Sequence, residues 1–184
     1  MTMIELSAGQ ETTLTGRIRM GVGWDKKRLA GALSTGVPEV DLDATAVQFA
    51  GEQLFDLAFY NNLATRDGSV VHLGDNLTGA GEGDDEQITV DLDRVHGPVD
   101  TIVLLVSSYQ GHRLVWVEQA YCRICDEDGV ELARFRITGG VTQTGLVLAT
   151  LKRSADGWVM RAVGEGVAIT VPTEGLAKLR PYLG

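Results

Sequence analysis

Short stretches in which apolar and polar residues alternate run along most of the chain, and they predict β-strands. The clearest stretches are residues 13–20, residues 87–92 and the continuous apolar run 101–107, which is typical of a strand buried on both faces. Further strands are predicted at 44–49, 57–60, 119–126, 131–138, 145–153 and 158–164. The last two are joined by Asp156-Gly157, a common hairpin turn.

About nine short strands with turn residues between them predict an all-β fold, a two-sheet β-sandwich or a barrel. Short helical segments complete it, including one helix near the C-terminus that Thr173 could cap. Leu176, Leu179 and Leu183 would lie on one face of that helix. Because no linker, repeat or low-complexity tract divides the 184 residues, a single domain over 1–184 is expected.

The charge balance and the hydropathy exclude several classes of protein. The chain carries 25 acidic and 16 basic residues, a net charge of −9, and 17 of the acids lie in the first 100 residues beside 7 bases. An acidic chain has no attraction for a phosphate backbone, so nucleic-acid binding is not expected. No apolar run reaches the roughly 20 residues of a transmembrane helix. Residues 1–6 lack the basic start of a signal peptide, so a cytoplasmic location is expected.

The segment 74–86 holds five acidic residues and no lysine or arginine, with glycines at 79, 81 and 83. Carboxylates, amides and carbonyls are the hard oxygen donors that Ca²⁺ takes six to eight at a time. The spacing is not that of an EF-hand, because Leu77 and Gly79 stand where that loop needs oxygen ligands. Zinc is disfavoured, since Cys122 and Cys125 form a single C-x-x-C. From these residues alone, a solvated acidic loop and a calcium site both remain open.

Several motifs together resemble the TerD family of tellurite-resistance and stress-response proteins. They are Gly21-Val22-Gly23-Trp24-Asp25, Val40-Asp41-Leu42-Asp43-Ala44, Phe59-Tyr60-Asn61-Asn62, Asp67-Gly68-Ser69-Val70-Val71-His72, and the run from Gly74-Asp75-Asn76 to Gly83-Asp84-Asp85-Glu86. The pattern continues through 102–106 and 158–164, so it covers nearly the whole chain. The resemblance implies a β-sandwich that binds calcium ions near one end.

The resemblance also implies the ligands and the role. The ligands would come from Asp25, Asp41, Asp43, Asp75, Asn76, Asp84, Asp85 and Glu86, with Asn61 or Asn62 as further donors. The role would be that of a binding or scaffold protein with partners in a stress-response complex. One alternative is an acidic protein–protein interaction module without metal. The other is a carboxylate-dependent hydrolase, which is disfavoured because the chain has no G-x-S-x-G, no P-loop and no paired nucleophile and histidine.

Overall fold

The structure, a computed structural model, describes residues 3–26, 42–75, 83–111, 113–114, 117–136 and 141–184. Two six-stranded sheets pack face to face over these residues, which confirms the predicted sandwich. Sheet I has the strand order β1-β10-β9-β3-β7-β6, and sheet II has the order β2-β12-β11-β8-β4-β5. The strands are β1 Ile4–Leu6, β2 Glu11–Leu14, β3 Arg17–Lys26, β4 Asp43–Ala50, β5 Gln53–Ala58, β6 Val70–Asp75, β7 Glu86–Asp91, β8 Thr101–Ser107, β9 Val117–Cys125, β10 Glu131–Arg136, β11 Gly145–Ser154 and β12 Gly157–Val167.

The predicted strand over 13–20 is two strands that belong to different sheets. Leu14 ends β2 in sheet II, and Arg17 begins β3 in sheet I. Gly16 lies between them with a φ of 73°, a left-handed conformation that glycine adopts without strain. The predicted hairpin between the last two strands is confirmed, but its turn lies one residue earlier than Asp156-Gly157: Ala155 and Asp156 form the turn, and Gly157 begins β12 opposite Ser154.

Two layers of apolar side chains explain why β8 is buried along its whole length. Ile102, Leu104 and Val106 face sheet I and belong to the main core. Val103 and Leu105 face the other way, toward a second apolar cluster on the outer face of sheet II. Residues of the C-terminal segment cover that cluster, Leu179 being fully buried there. The continuous apolar run of β8 thus reflects burial on both faces.

The helix predicted near the C-terminus is a pair of 3-10 helices, Pro172–Glu174 and Leu176–Tyr182. Thr173 does not cap it, because Val171 and Gly175 precede the two helices and neither makes a side-chain cap. Leu176, Leu179 and Leu183 all pack on the outer cluster, as their spacing predicted. No helix among the described residues is long and apolar enough to span a membrane.

Asp67 braces the loop before β6 and joins it to two other parts of the sandwich, at Gln48 of β4 and at His96. Its Oδ1 accepts hydrogen bonds from the Thr65 hydroxyl at 2.7 Å and from the Ser69 backbone N–H and hydroxyl at 3.0 and 2.8 Å. Its Oδ2 accepts from the backbone N–H of His96 at 2.9 Å and from the side chain of Gln48 at 3.3 Å. Burial raises the pKa of Asp67, but these hydrogen bonds outweigh it and lower the pKa to about 2.

We expect Asp67→Asn to lower the free energy of unfolding by about 1–2 kcal/mol at neutral pH, after allowance for the exposed side of the carboxylate. Because the folded-state pKa lies below the ordinary value, the ionised carboxylate stabilises the fold above about pH 4, and this contribution is lost as the pH falls toward 2. Urea unfolding at several pH values measures it. A loss that is the same at pH 2 and at pH 7 would contradict the assignment.

Candidate metal site

Strands of both sheets begin or end at one end of the sandwich, which we call the acidic end. In sheet I, Glu86 at the start of β7 lies opposite both Val22 of β3 and Asp75 at the end of β6. In sheet II, Asp43 at the start of β4 lies opposite Ser107 at the end of β8. The two sheets are joined here because the backbone N–H of Ala44 donates to Glu86 Oε2 at 2.5 Å.

The predicted ligands fall into three groups. The structure brings Asp43, Asp84, Asp85 and Glu86 together at the acidic end. The backbones of Asp25 in β3 and Asp75 in β6 also lie at this end, opposite Glu118 and Glu86 respectively, but their side chains are outside the described residues. Asp41 and Asn76 lie wholly outside the described residues. Asn61 and Asn62 lie in the turn after β5; Asn61 is exposed, and the side-chain amide of Asn62 donates to the carbonyl of Leu57 at 2.8 Å.

Asp84 is held in an ion pair on the outer face of sheet I. Its side chain is 1% exposed, and it accepts hydrogen bonds from Arg123 Nε at 2.7 Å and Arg123 Nη2 at 2.9 Å. The Tyr121 hydroxyl at 3.0 Å and the Gln87 amide at 3.1 Å also donate to it. Burial raises the pKa of Asp84. The hydrogen bonds and the charge of Arg123, together with the hydrogen bonds of Gln87 and Tyr121, outweigh burial and lower the pKa below its ordinary value. Asp84 therefore anchors the start of β7 to β9.

Glu86 is 4% exposed and lies between the sheets. His72 Nδ1 accepts from the Gly74 N–H at 2.9 Å, which places the proton of a neutral ring on Nε2, 3.3 Å from Glu86 Oε2. Burial raises the pKa of Glu86, the hydrogen bonds of His72 and Ala44 lower it, and the charge of Asp43 raises it, so that it lies at about 7. The acidic end thus holds a buried carboxyl group close to a second acid.

Asp85, between these two acids, is half-buried and joins β7 to β3. Its backbone N–H donates to the Val22 carbonyl at 2.8 Å, and its Oδ2 accepts from the backbone N–H of Trp24 at 2.8 Å. Trp24 directly precedes Asp25, so the contact brings the ends of two predicted acidic motifs side by side. Within the described ranges, no three His, Cys, Asp or Glu side chains are placed as a group that could hold a metal ion.

Sequence reasoning did not identify Arg123, Tyr121 and His72 as parts of this end. Arg123 and Tyr121 lie in a predicted strand about 37 residues beyond the acidic segment, and no local pattern links them to Asp84. Gly21 and Gly23 of the predicted motif do indicate close neighbours over this part of β3. A Cβ at Gly21 would overlap the carboxylate of Asp84, and a Cβ at Gly23 would overlap the ring of Tyr121.

Comparison with known proteins gives matches over nearly the whole chain. A family model described as TerD domain matches residues 1–179. Tellurium resistance protein TerZ of Serratia marcescens is 38% identical over 163 residues, which cover 86% of this chain and 84% of that protein. Stress response protein SCP2 of Bacillus subtilis is 34% identical over 183 residues, 89% of this chain and 92% of that protein.

Solved structures share the fold. The crystal structure of a homologue of telluride resistance protein (TerD) from Streptomyces coelicolor A3(2) superposes with a TM-score of 0.67 at 20% sequence identity, covering 84% of this chain and 92% of that one. At this level of identity the likeness concerns the arrangement of the two sheets.

Proposed function

Since this chain belongs to the TerD family of tellurium-resistance and stress-response proteins, we propose that it binds calcium at the acidic end and acts through binding rather than catalysis. The observation that carries the proposal is the convergence of Asp43, Asp85 and Glu86 from strands of both sheets at one end. The proposal includes a cytoplasmic location, and it includes protein partners in a stress response, as the resemblance implies.

The donor chemistry of the described residues fits calcium. Asp43, Asp85 and Glu86 carry carboxylate oxygens, which are hard ligands, at the same end of the sandwich. The described side chains alone do not form a group of three ligands, so a bound ion would also need donors from outside the described residues. We assign Asp84 to positioning instead, because both of its oxygens already accept hydrogen bonds from Arg123 and its neighbours. Asp25, Asp41, Asp75 and Asn76 remain proposed ligands whose side chains lie outside the described residues.

A bound calcium ion would supply positive charge where several carboxylates meet. Without it, these side chains repel one another, and Glu86 is also held away from water. Hydrogen bonds from the backbone N–H groups of Ala44 and Trp24 hold the carboxylates of Glu86 and Asp85 in place, and these hydrogen bonds form only in the folded chain. The unfolded chain has no such arrangement, so binding should stabilise the fold.

Calcium is expected to raise the melting temperature of the metal-free protein by about 5–11 °C at a hundredfold excess over Kd. The excess contributes about 2.7 kcal/mol, and each kcal/mol moves Tm by roughly 2–4 °C in a domain of this size. Magnesium should give a much smaller shift, because it requires a tighter octahedron and keeps its waters. Differential scanning calorimetry with calcium, magnesium and chelator measures this.

Two variants make the calcium experiment specific. Asp85→Asn should reduce the calcium-dependent shift, since its side chain lies at the acidic end. Glu52→Gln should leave the shift unchanged, because Glu52 is an exposed residue of the turn between β4 and β5. A melting curve that calcium does not move would sink the calcium proposal and favour the acidic interaction module.

A further inference from the structure

Thr45 and Ser107 carry buried hydroxyl groups without a hydrogen-bond partner. Each residue is 1% exposed. Within the part of the chain that the structure describes, neither Thr45 Oγ1 nor Ser107 Oγ has a partner. An unsatisfied buried polar group costs about 1–3 kcal/mol, and such groups in native proteins commonly mark the place of a bound water, ion or ligand.

Both hydroxyls lie on the same face of sheet II as Asp43. Side chains alternate along a strand, and Ala44 and Ala46 of β4 belong to the main core while Val47 belongs to the outer cluster. Asp43 and Thr45 therefore face outward. In β8 the outward positions are Val103, Leu105 and Ser107, and Ser107 lies directly opposite Asp43.

The surroundings of the two hydroxyls make their identity unexpected on packing grounds. The neighbouring outward positions of the same strands, Val47 and Leu105, are buried apolar residues. Valine at 45 and alanine at 107 would fill similar space without an unpaired oxygen. Tyr60 packs edge-on against Tyr109 at 5.6 Å. Burial, Tyr109 and the charge of Asp43 raise the pKa of Tyr60, so Asp43 lies near these rings. The two hydroxyls therefore lie at the border between the apolar outer cluster and the acidic end.

We propose that Thr45 and Ser107 contribute their hydroxyl oxygens to a calcium ion bound by Asp43 on the outer face of sheet II. The inference rests on the proposed calcium binding and gives Asp43 two neutral partner ligands on the outer face of sheet II, whereas Glu86 lies between the sheets. Asp43 and Ser107 form a directly opposed pair, whose Cβ atoms lie about 5 Å apart. Thr45 follows two residues along the same face, at about 7 Å. Oxygens at these spacings can share one ion with ligand distances of 2.3–2.6 Å.

The test compares Thr45→Val, Ser107→Ala and the double variant with the wild-type protein by calcium titration calorimetry. Each single change should weaken calcium binding about tenfold, and the double change more. Metal-free Thr45→Val and Ser107→Ala should melt at or above the wild-type temperature, because an unpaired buried hydroxyl is removed. Thr101→Val is the matched control at the other end of β8: Thr101 is 2% exposed, and its hydroxyl donates to Asp100 at 3.0 Å. It should lower stability and leave calcium affinity unchanged.

A second readout reports the ligands directly. With terbium in place of calcium, luminescence decay in H₂O and D₂O counts the bound waters, and about one more water should appear for each hydroxyl removed. Unchanged affinity and water count in both variants, with calcium bound normally by the wild type, would overturn this inference and leave the calcium proposal intact. Metal-free variants destabilised like Thr101→Val would also overturn it. A wild-type protein that binds no calcium would overturn both.

Discussion

Replacing Arg123 by methionine should lower the free energy of unfolding by about 3–5 kcal/mol, since it leaves the Asp84 carboxylate buried without its charge partner. The side chain of Asp84 is 1% exposed, and Arg123 donates to both of its oxygens, at 2.7 and 2.9 Å. Methionine keeps the length of the aliphatic stem, so the variant removes mainly the guanidinium. Urea unfolding at neutral pH measures the loss.

The pH dependence separates a charge effect from a packing effect. In the variant, the pKa of Asp84 should rise above its ordinary value, because burial then acts without the opposing charge of Arg123. A raised folded-state pKa destabilises the fold at neutral pH, and the loss disappears as the pH falls and Asp84 takes up a proton. The cost of Arg123→Met should therefore be smaller at pH 3 than at pH 7.

Arg136→Met is the matched control. Arg136 also pairs with an acid, Glu5, at 3.1 Å, but the two side chains are 64% and 59% exposed. An exposed pair contributes about 0–1 kcal/mol, so this change should have little effect. Equal losses from the two variants would show that the buried ion pair does not anchor β7.

Replacing Gly21 by alanine should cost about 3 kcal/mol or more, although alanine suits the strand backbone. A Cβ at this position would overlap the Asp84 carboxylate, which packs directly against the backbone of β3 at Gly21. The carboxylate or the strand must move, and either shift strains the hydrogen bonds that Arg123 donates. Thermal and chemical unfolding measure the loss, and calcium titration should show weaker binding, because Asp85 and Glu86 follow Asp84 directly.

Gly83→Ala provides the comparison, because no heavy atom of the residues that the structure describes lies within 4 Å of the place where its Cβ would stand. This change should alter stability by well under 1 kcal/mol. Gly21→Ala should also cost less in the Arg123→Met background than in the wild type, since the two changes act on one ion pair. Strict additivity would mean that Gly21 serves some contact other than the carboxylate of Asp84.

The cross-strand partners of the site residues show where sequence reasoning stopped. Asp84 and Asp85 are adjacent acids in one motif, and the family resemblance implies the same role for both. The structure gives them different neighbours, because successive residues point to different sides: Asp84 meets Arg123 on the outer face of sheet I, and Asp85 meets the backbone of Trp24. Which acid anchors a strand and which one is a proposed cation ligand depends on partners that are distant in sequence.

Local sequence patterns by themselves predicted the high strand content, the burial of β8 along its whole length, the hairpin between β11 and β12, and the family. These features depend on periodicity, turn residues and short motifs that are contiguous in the chain. Tertiary structure decided the separation of β2 and β3 into different sheets at Gly16, the 3-10 geometry of the C-terminal segment, and the pairing of Asp84 with Arg123, Glu86 with His72 and Asp43 with Ser107. Each of these depends on which strand lies beside which, and that order is set by packing two sheets over a shared core, which no local sequence pattern encodes.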